Sequence, residues 1–266
     1  GPIARNLYRH EWVSLRLFQA FVGNSTDAEW LERLIAPSAE DDTSWIDRVL
    51  RDGIDSKARD SKPFTVLPPL ARTVAWLVLT HHRLPLMPTK DANGQWKWLG
   101  ARVTDLSATQ LDNLLEKVDA NWNELFDSKD RTAIEPYWTF PHGLPVTTDA
   151  WRKRSARVAR RLLAIVQSAD ARDWLHDPYV MHLGRLGLML ADHHYSSLTD
   201  PTARSDLNPA YPLFANTDRK TGTFNQTLDE HLLGVARHAG MVAHALPSFE
   251  HHLPRLVRHK GLRKRS

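Results

Sequence analysis

Hydrophobic periodicity constrains this chain most: apolar residues recur at helical spacing along most of its 266 residues, and no run alternates with the period of two that a half-buried strand needs. The pattern predicts helices over Tyr8–Val22, Ala28–Ile35, Trp45–Leu50, Pro69–His82, Ser107–Phe126, Asp149–Ser168, Tyr179–Ser196 and Asn225–Ala245. Pro68-Pro69 suits a helix start, because proline in the first turn sacrifices no needed donor. The residues that follow, Leu70 to Leu79, are apolar almost all round, which predicts a centrally buried helix. Thr147 or Thr148 can cap the helix that begins at Asp149. Asn93-Gly94, within Asp91–Trp98, has the turn chemistry of a small two-stranded hairpin, and Asp200–Thr223 reads as a long loop. The fold class expected is mainly α, one helical domain with at most that minor hairpin.

With 42% hydrophobic and 25% charged residues the chain is globular in composition. It has no cysteine, so disulfides are impossible and a cytoplasmic location is the default expectation. Its longest apolar run, Val74–Leu79, is far below the roughly 20 residues of a membrane helix. The 35 basic and 31 acidic residues give a net charge of only +4. Arg152, Lys153, Arg154, Arg157, Arg160 and Arg161, however, fall in one stretch without an acid. A solvated helix face explains such a run; so does a phosphate-contacting, DNA-binding surface. No Walker-type Gly-Lys-Ser/Thr loop is present to bind ATP. The Gly1-Pro2 start and the basic end, Lys260–Ser266, lead us to expect a piece of a larger protein: a domain over 1–255, then a linker over 256–266.

Histidine is the outlier, with fourteen in the chain and adjacent pairs at His81-His82, His193-His194 and His251-His252. Imidazole is the commonest metal ligand and the usual acid–base group, so this excess points toward metal chemistry. His81-His82 closes the buried helix, where both rings can reach one pocket. Asp192 interrupts a strongly apolar helix, and an isolated buried carboxylate is costly unless paired or bound to metal. Ser196 follows it one turn on, on the same face, placed to support it. His231 and His10 each border an apolar helix face, the latter with Ser14 one turn on. Each of these residues, taken singly, also reads as an ordinary structural polar group.

The four segments Tyr8-Arg9-His10-Glu11-Trp12-Val13-Ser14, Thr80-His81-His82-Arg83-Leu84-Pro85, Ala191-Asp192-His193-His194-Tyr195-Ser196-Ser197 and Glu230-His231-Leu232-Leu233-Gly234-Val235-Ala236 occur in that order. As a set they resemble the HD nuclease domain of the type I-F CRISPR helicase–nuclease, which is fused to an N-terminal adaptation-protein domain and a C-terminal helicase. The resemblance implies an HD-type helical bundle that holds one or two divalent transition metals. It implies a nuclease degrading single-stranded DNA exposed by the CRISPR surveillance complex, with ATP used only on the helicase. Carried over position by position, His10, His81 and His82 resemble ligands of one metal, and Asp192 a carboxylate ligand of the other. Of these, Asp192 and His82 are the positions implied to be catalytic, with Ser14 and Ser196 supporting. His231 stands in a His-Leu-x-x-Val-Ala context that the family carries at the start of the domain, which suggests a circular permutation.

One feature of the family pattern is missing. The defining His-Asp doublet, followed by Gly-Lys and lying upstream of the His10 motif, is absent; the lone doublet, His176-Asp177, precedes Pro178 and reads as a loop without catalytic meaning. In the family that aspartate bridges two metals, so the resemblance implies an incomplete site and weak activity for these residues alone. The chemistry accounts for the ligand types: phosphodiester hydrolysis needs a hydroxide nucleophile near neutral pH and neutralisation of charge on phosphate oxygens. A mixed imidazole and carboxylate set suits Mn, Fe, Co, Ni or Zn. Two other readings share these residues. One is an HD-type phosphohydrolase acting on small nucleotides. The other is a non-enzymatic docking domain for the surveillance complex or a phage inhibitor.

Overall fold

A computed structural model describes residues 8–38, 44–82, 89–90, 92–94, 96–97, 108–120, 131–168, 173–218 and 221–252. The expected linker over 256–266, the segment Arg83-Leu84-Pro85 and parts of the expected helix over Ser107–Phe126 lie outside the described residues. The described helices are α1 (His10–Val22), α2 (Asp27–Ile35), α3 (Pro69–Thr80), α4 (Ala108–Leu115), α5 (Arg131–Ile134), α6 (Asp149–Val166), α7 (Pro178–Ser197), α8 (Leu228–Ala245) and α9 (Phe249–His252). The protein is mainly α. The one described sheet pairs β1 (Thr89–Lys90) antiparallel with β2 (Trp96–Lys97) across the Asn93-Gly94 turn, where Gly94 takes the positive φ such turns demand.

Local chemistry sets the helix ends. Thr26 and Glu29 form a reciprocal capping box at the start of α2. Thr148, at the residue before α6, accepts from the Trp151 amide. The start of α3 has no local cap. The buried Asp27 carboxylate of α2 accepts instead from the Leu70 and Ala71 amides, at 2.9 and 3.0 Å, satisfying two orphan donors from 43 and 44 positions away. The helix expected over Trp45–Leu50 is only a 3-10 turn, Ile46–Arg48, where Trp45 and Val49 are buried in the core and the Trp45 ring meets Phe21 of α1 edge-on. The loop expected over Asp200–Thr223 carries a 3-10 turn at Pro201–Ala203 and single bridges, Phe214 to Thr227 and Thr217 to Phe224.

The main core joins Trp12, Leu15, Leu31, Trp30, Phe64, Trp76 and Leu79 from the first three helices and their connections to Leu114, Val118 and Ile134. α3 lies at its centre, as its all-round apolar sequence demands. A buried ion pair pins α1: Arg16, 1% exposed, meets Asp52 through Nε at 2.9 Å and a second nitrogen at 2.7 Å, and Trp12 Nε1 donates to the same carboxylate at 2.6 Å. The helices α7 and α8 pack against each other around a second, smaller cluster of Ala191, Tyr195 and Val235. A hydrogen bond from Arg185 Nε of α7 to the Thr80 carbonyl, 2.9 Å, joins that pair to the C-terminal end of α3.

Candidate metal centre

Four helix ends and faces bring the site residues together. His10 is the first residue of α1, and His81 and His82 follow the last turn of α3. Because α1 packs along α3, these ends meet. One nitrogen from each of the three rings lies within 4.8 Å of the others. His10 Nε2 and His82 Nε2 are 3.0 Å apart, and the His81 and His82 rings approach to 4.0 Å between centroids. His81 Nδ1 lies 2.7 Å from the Val78 carbonyl oxygen, which can only accept, so that nitrogen carries a proton and the lone pair of the neutral ring falls on Nε2.

Asp192 and His231 form the other half. His231 Nε2 stands 3.2 Å from Asp192 Oδ1, and His231 Nδ1 stands 2.9 Å from the side-chain oxygen of Gln226. Both side chains are partly buried. The Asp192 carboxyl is held below the usual carboxylate range, first by its hydrogen bond with His231, which outweighs the opposing effect of burial. His193, the residue after Asp192, faces His82 with ring centroids 6.4 Å apart, which sets the two halves near each other.

Two histidines of the first half, His10 and His82, are biased toward the neutral ring. His10 keeps 68% of its side chain open to solvent, yet the protein around it withdraws enough water to lower its pKa, with Glu11 opposing and His81 assisting. Loss of solvation also lowers His82, helped by repulsion from His81 and His10. Neutral imidazoles are the form that binds a metal. Nitrogens on one transition ion, each about 2.0–2.1 Å from it, lie roughly 3–4 Å apart, so these three need only small side-chain adjustments to share an ion. The donor set and its spacing therefore fit one.

The remaining candidates divide. Ser14 and Ser196 are exposed, one turn from His10 and Asp192, and no hydrogen bond among the described residues joins them to either. Lys153, Arg157, Arg160 and Arg161 are exposed on α6, while Arg152 and Arg154 are partly covered. That helix packs mainly on α2 and α8 and does not reach into the pocket. Its capping residue Thr148 donates to Asp229 Oδ1 at 2.7 Å, which sets the start of α6 beside the first turn of α8. His176 and Asp177 have structural work: His176 lies 2.5 Å from Asp173 and 3.1 Å from Asp112, and Asp177 caps α7 by accepting from Tyr179 and Val180.

Three residues in or beside the pocket escaped the sequence reading. His193 faces His82, with ring centroids 6.4 Å apart. Glu11, 2% exposed, sits 3.6 Å from His10 Nδ1 and is held by Arg9 at 2.6 Å. Gln226 is wholly buried behind His231. Being neighbours of candidate residues marked the first two. Nothing local marks Gln226.

No protein-family model matches the chain. Over its whole length it is 44% identical, across 273 aligned residues, to the CRISPR-associated nuclease/helicase Cas3 subtype I-F/YPEST of Pseudomonas aeruginosa. Over 97% of its length it is 38% identical to the protein of the same description from Pectobacterium atrosepticum. It spans 23% of the length of each of these relatives.

Proposed function

Because the chain belongs, as a segment, to the type I-F CRISPR-associated nuclease/helicase family, we propose that it is the metal-dependent nuclease domain of such a protein, acting on single-stranded DNA. The observation that carries this reading is the convergence of three imidazoles within 4.8 Å, from positions 10, 81 and 82, with His193, next to Asp192, facing His82. In it, His10, His81 and His82 hold one divalent transition ion and Asp192 and His231 contribute to a second. Manganese, iron, cobalt, nickel and zinc all suit such donors. A bound ion supplies a hydroxide nucleophile near neutral pH and neutralises charge developing on phosphate oxygens. The protein's part is to hold the ligands, keep the rings neutral and admit the strand through the open side at His10.

The exposed stripe of Lys153, Arg157, Arg160 and Arg161 on α6 supplies the phosphate track. Support for this comes from the Thr148–Asp229 bond, which starts that stripe near the end of α8 bearing His231. The partners proposed are the surveillance complex that exposes the strand and the helicase and adaptation-protein parts of the same polypeptide, with ATP consumed by the helicase alone.

The test compares wild-type nuclease/helicase with His82→Ala and Asp192→Asn, measuring bound metal and cleavage of single-stranded DNA and of free nucleotides. Loss of even a residue supporting a ligand costs about 10–100-fold, so removal of a ligand should lower DNA cleavage more than about 100-fold with the fold intact. Metal-dependent hydrolysis of nucleotides without DNA cleavage would transfer the site to the phosphohydrolase class. Undiminished DNA cleavage by both variants would refute the assignment.

A further inference from the structure

The Gln226 side chain is 0% exposed and touches both helices of the Asp192–His231 half-site. Its amide cannot be turned either way. The Nε2 group donates to the carbonyl oxygens of Tyr195 at 2.7 Å and Leu198 at 3.0 Å, at the end of α7. Carbonyls only accept, so the nitrogen must face them. A second, independent constraint agrees. The Gln226 backbone amide donates to Asn216 Oδ1 at 3.1 Å, which turns the Asn216 nitrogen toward Gln226 Oε1, 3.1 Å away. Both constraints present Oε1, an acceptor without a proton, to His231 Nδ1 at 2.9 Å. Only an N–H can meet it there.

We infer that Gln226 is a positioning residue that fixes His231 as its Nδ1–H tautomer, and thereby presents Nε2, beside Asp192 Oδ1, to a divalent cation. With the ring neutral, that nitrogen bears a lone pair 3.2 Å from a carboxylate oxygen. Two lone pairs so placed repel unless positive charge lies at the nitrogen, either a second proton or a metal ion. The opposite tautomer would let His231 donate to Asp192, but it would turn a bare ring nitrogen toward Gln226 Oε1 in a buried setting, leaving two acceptors face to face. The same arrangement recurs across the pocket. The Val78 carbonyl takes the Nδ1 proton of His81 and frees its Nε2. Metal-binding histidines are oriented in this way by a partner on the far ring nitrogen. Gln226 also ties the last turn of α7, the helix of Asp192 and Tyr195, to the start of α8. The cation role rests on the reading of the pocket as a metal centre; the tautomer does not.

The experiment uses the 266-residue chain, metal-free, with 15N-labelled histidine, at a pH that leaves one proton on the ring. Long-range 1H–15N correlations identify which nitrogen carries it, with His231 assigned by loss of its signals in His231→Gln. The wild-type ring should be protonated on Nδ1. Gln226→Glu, which keeps the acceptor, should retain that form, whereas Gln226→Leu should lose it and lower zinc affinity about 10–100-fold. A wild-type ring protonated on Nε2 overturns the proposal whether or not any variant folds. Wild-type zinc affinity in a folded Gln226→Leu also overturns it. Failure of the metal-centre reading has a different signature: wild type and variants alike bind no zinc, while the Nδ1–H form persists.

Discussion

Gly234 supports a sharp prediction, because it lies under a ring that has no room to move. A Cβ at this position would stand 2.1 Å from Tyr195 Cζ, with two more ring atoms at 2.2 and 2.5 Å. Ordinary van der Waals approach begins near 3.4 Å, so Gly234→Ala forces about 1.3 Å of separation between α7 and α8. Tyr195 cannot swing aside: it is fully buried, and its hydroxyl lies 2.8 Å from the Ser205 carbonyl and 3.2 Å from Glu230. Overpacking of this kind costs about 1–3 kcal/mol, against which alanine's better helix propensity returns about 1 kcal/mol. A 2.1 Å approach to a fixed ring belongs at the top of that range, so the net loss expected is about 2 kcal/mol. In a chain of this size that is roughly 4–8 °C in Tm. Asp192 and His231 each lie one turn from the clash, so at the proposed metal centre the same displacement should weaken metal binding. Gly240, on the same helix with nothing within 4 Å of its added Cβ, is the control: Gly240→Ala should stabilise by about 0.5–1 kcal/mol. Thermal and urea unfolding of both variants, with zinc titration of each, measure these effects. A Gly234→Ala chain as stable as wild type, or shifted in the same direction as Gly240→Ala, would refute the reasoning.

Three further outcomes rest on particular side-chain pairs and on the exposed face of α6. Asp52→Asn leaves the Arg16 guanidinium buried without its counter-charge, and urea unfolding should show a loss of about 3–5 kcal/mol; a loss below about 1 kcal/mol would show that the pair is not a keystone. The hydrogen bond to Asp173, then the charges of Asp173 and Asp112, raise His176 above its ordinary pKa of 6.5. That stabilisation is full below the unfolded pKa and fades as pH rises through the folded one. Since both carboxylates are about half exposed it should stay under about 1 kcal/mol. Urea midpoints at about pH 6 and about pH 8.5 should therefore differ less in His176→Gln than in wild type, and an unchanged difference would remove His176 as the cause. On the proposed function, neutralising Lys153, Arg157 and Arg160 should weaken binding to all single-stranded sequences alike and reduce the salt slope by roughly 0.7 for every phosphate no longer engaged, as read by binding titrations from low to high salt. An unchanged slope returns α6 to a merely solvated face.

Helical class, the central place of α3 and the three histidines that come together at positions 10, 81 and 82 were legible in the sequence, because those features are written in local terms. A 3.6-residue period declares a buried stripe, all-round apolarity at Leu70–Leu79 declares a core helix, and an excess of paired histidines declares an unusual chemistry. Where local terms ran short, the reading ran short with them. Trp45–Leu50 has the composition of a helix, but packing of Trp45 and Val49 into the core left only a 3-10 turn. The loop before α8 looked featureless, yet its bridges set Gln226 where its amide is locked.

Which polar atoms face one another was settled by packing. His10, His81 and His82 meet because α1 and α3 lie side by side, with the start of one beside the end of the other. His176-Asp177 has the spelling of a metal-binding doublet and works as a clamp and a helix cap. Gln226 reads as an unremarkable polar residue five positions before His231, until both faces of its amide find fixed partners. Hydrogen-bond direction belongs to pairs of atoms brought together by folding. Periodicity shows which face of a helix turns inward; the partner waiting there comes from another stretch of the chain.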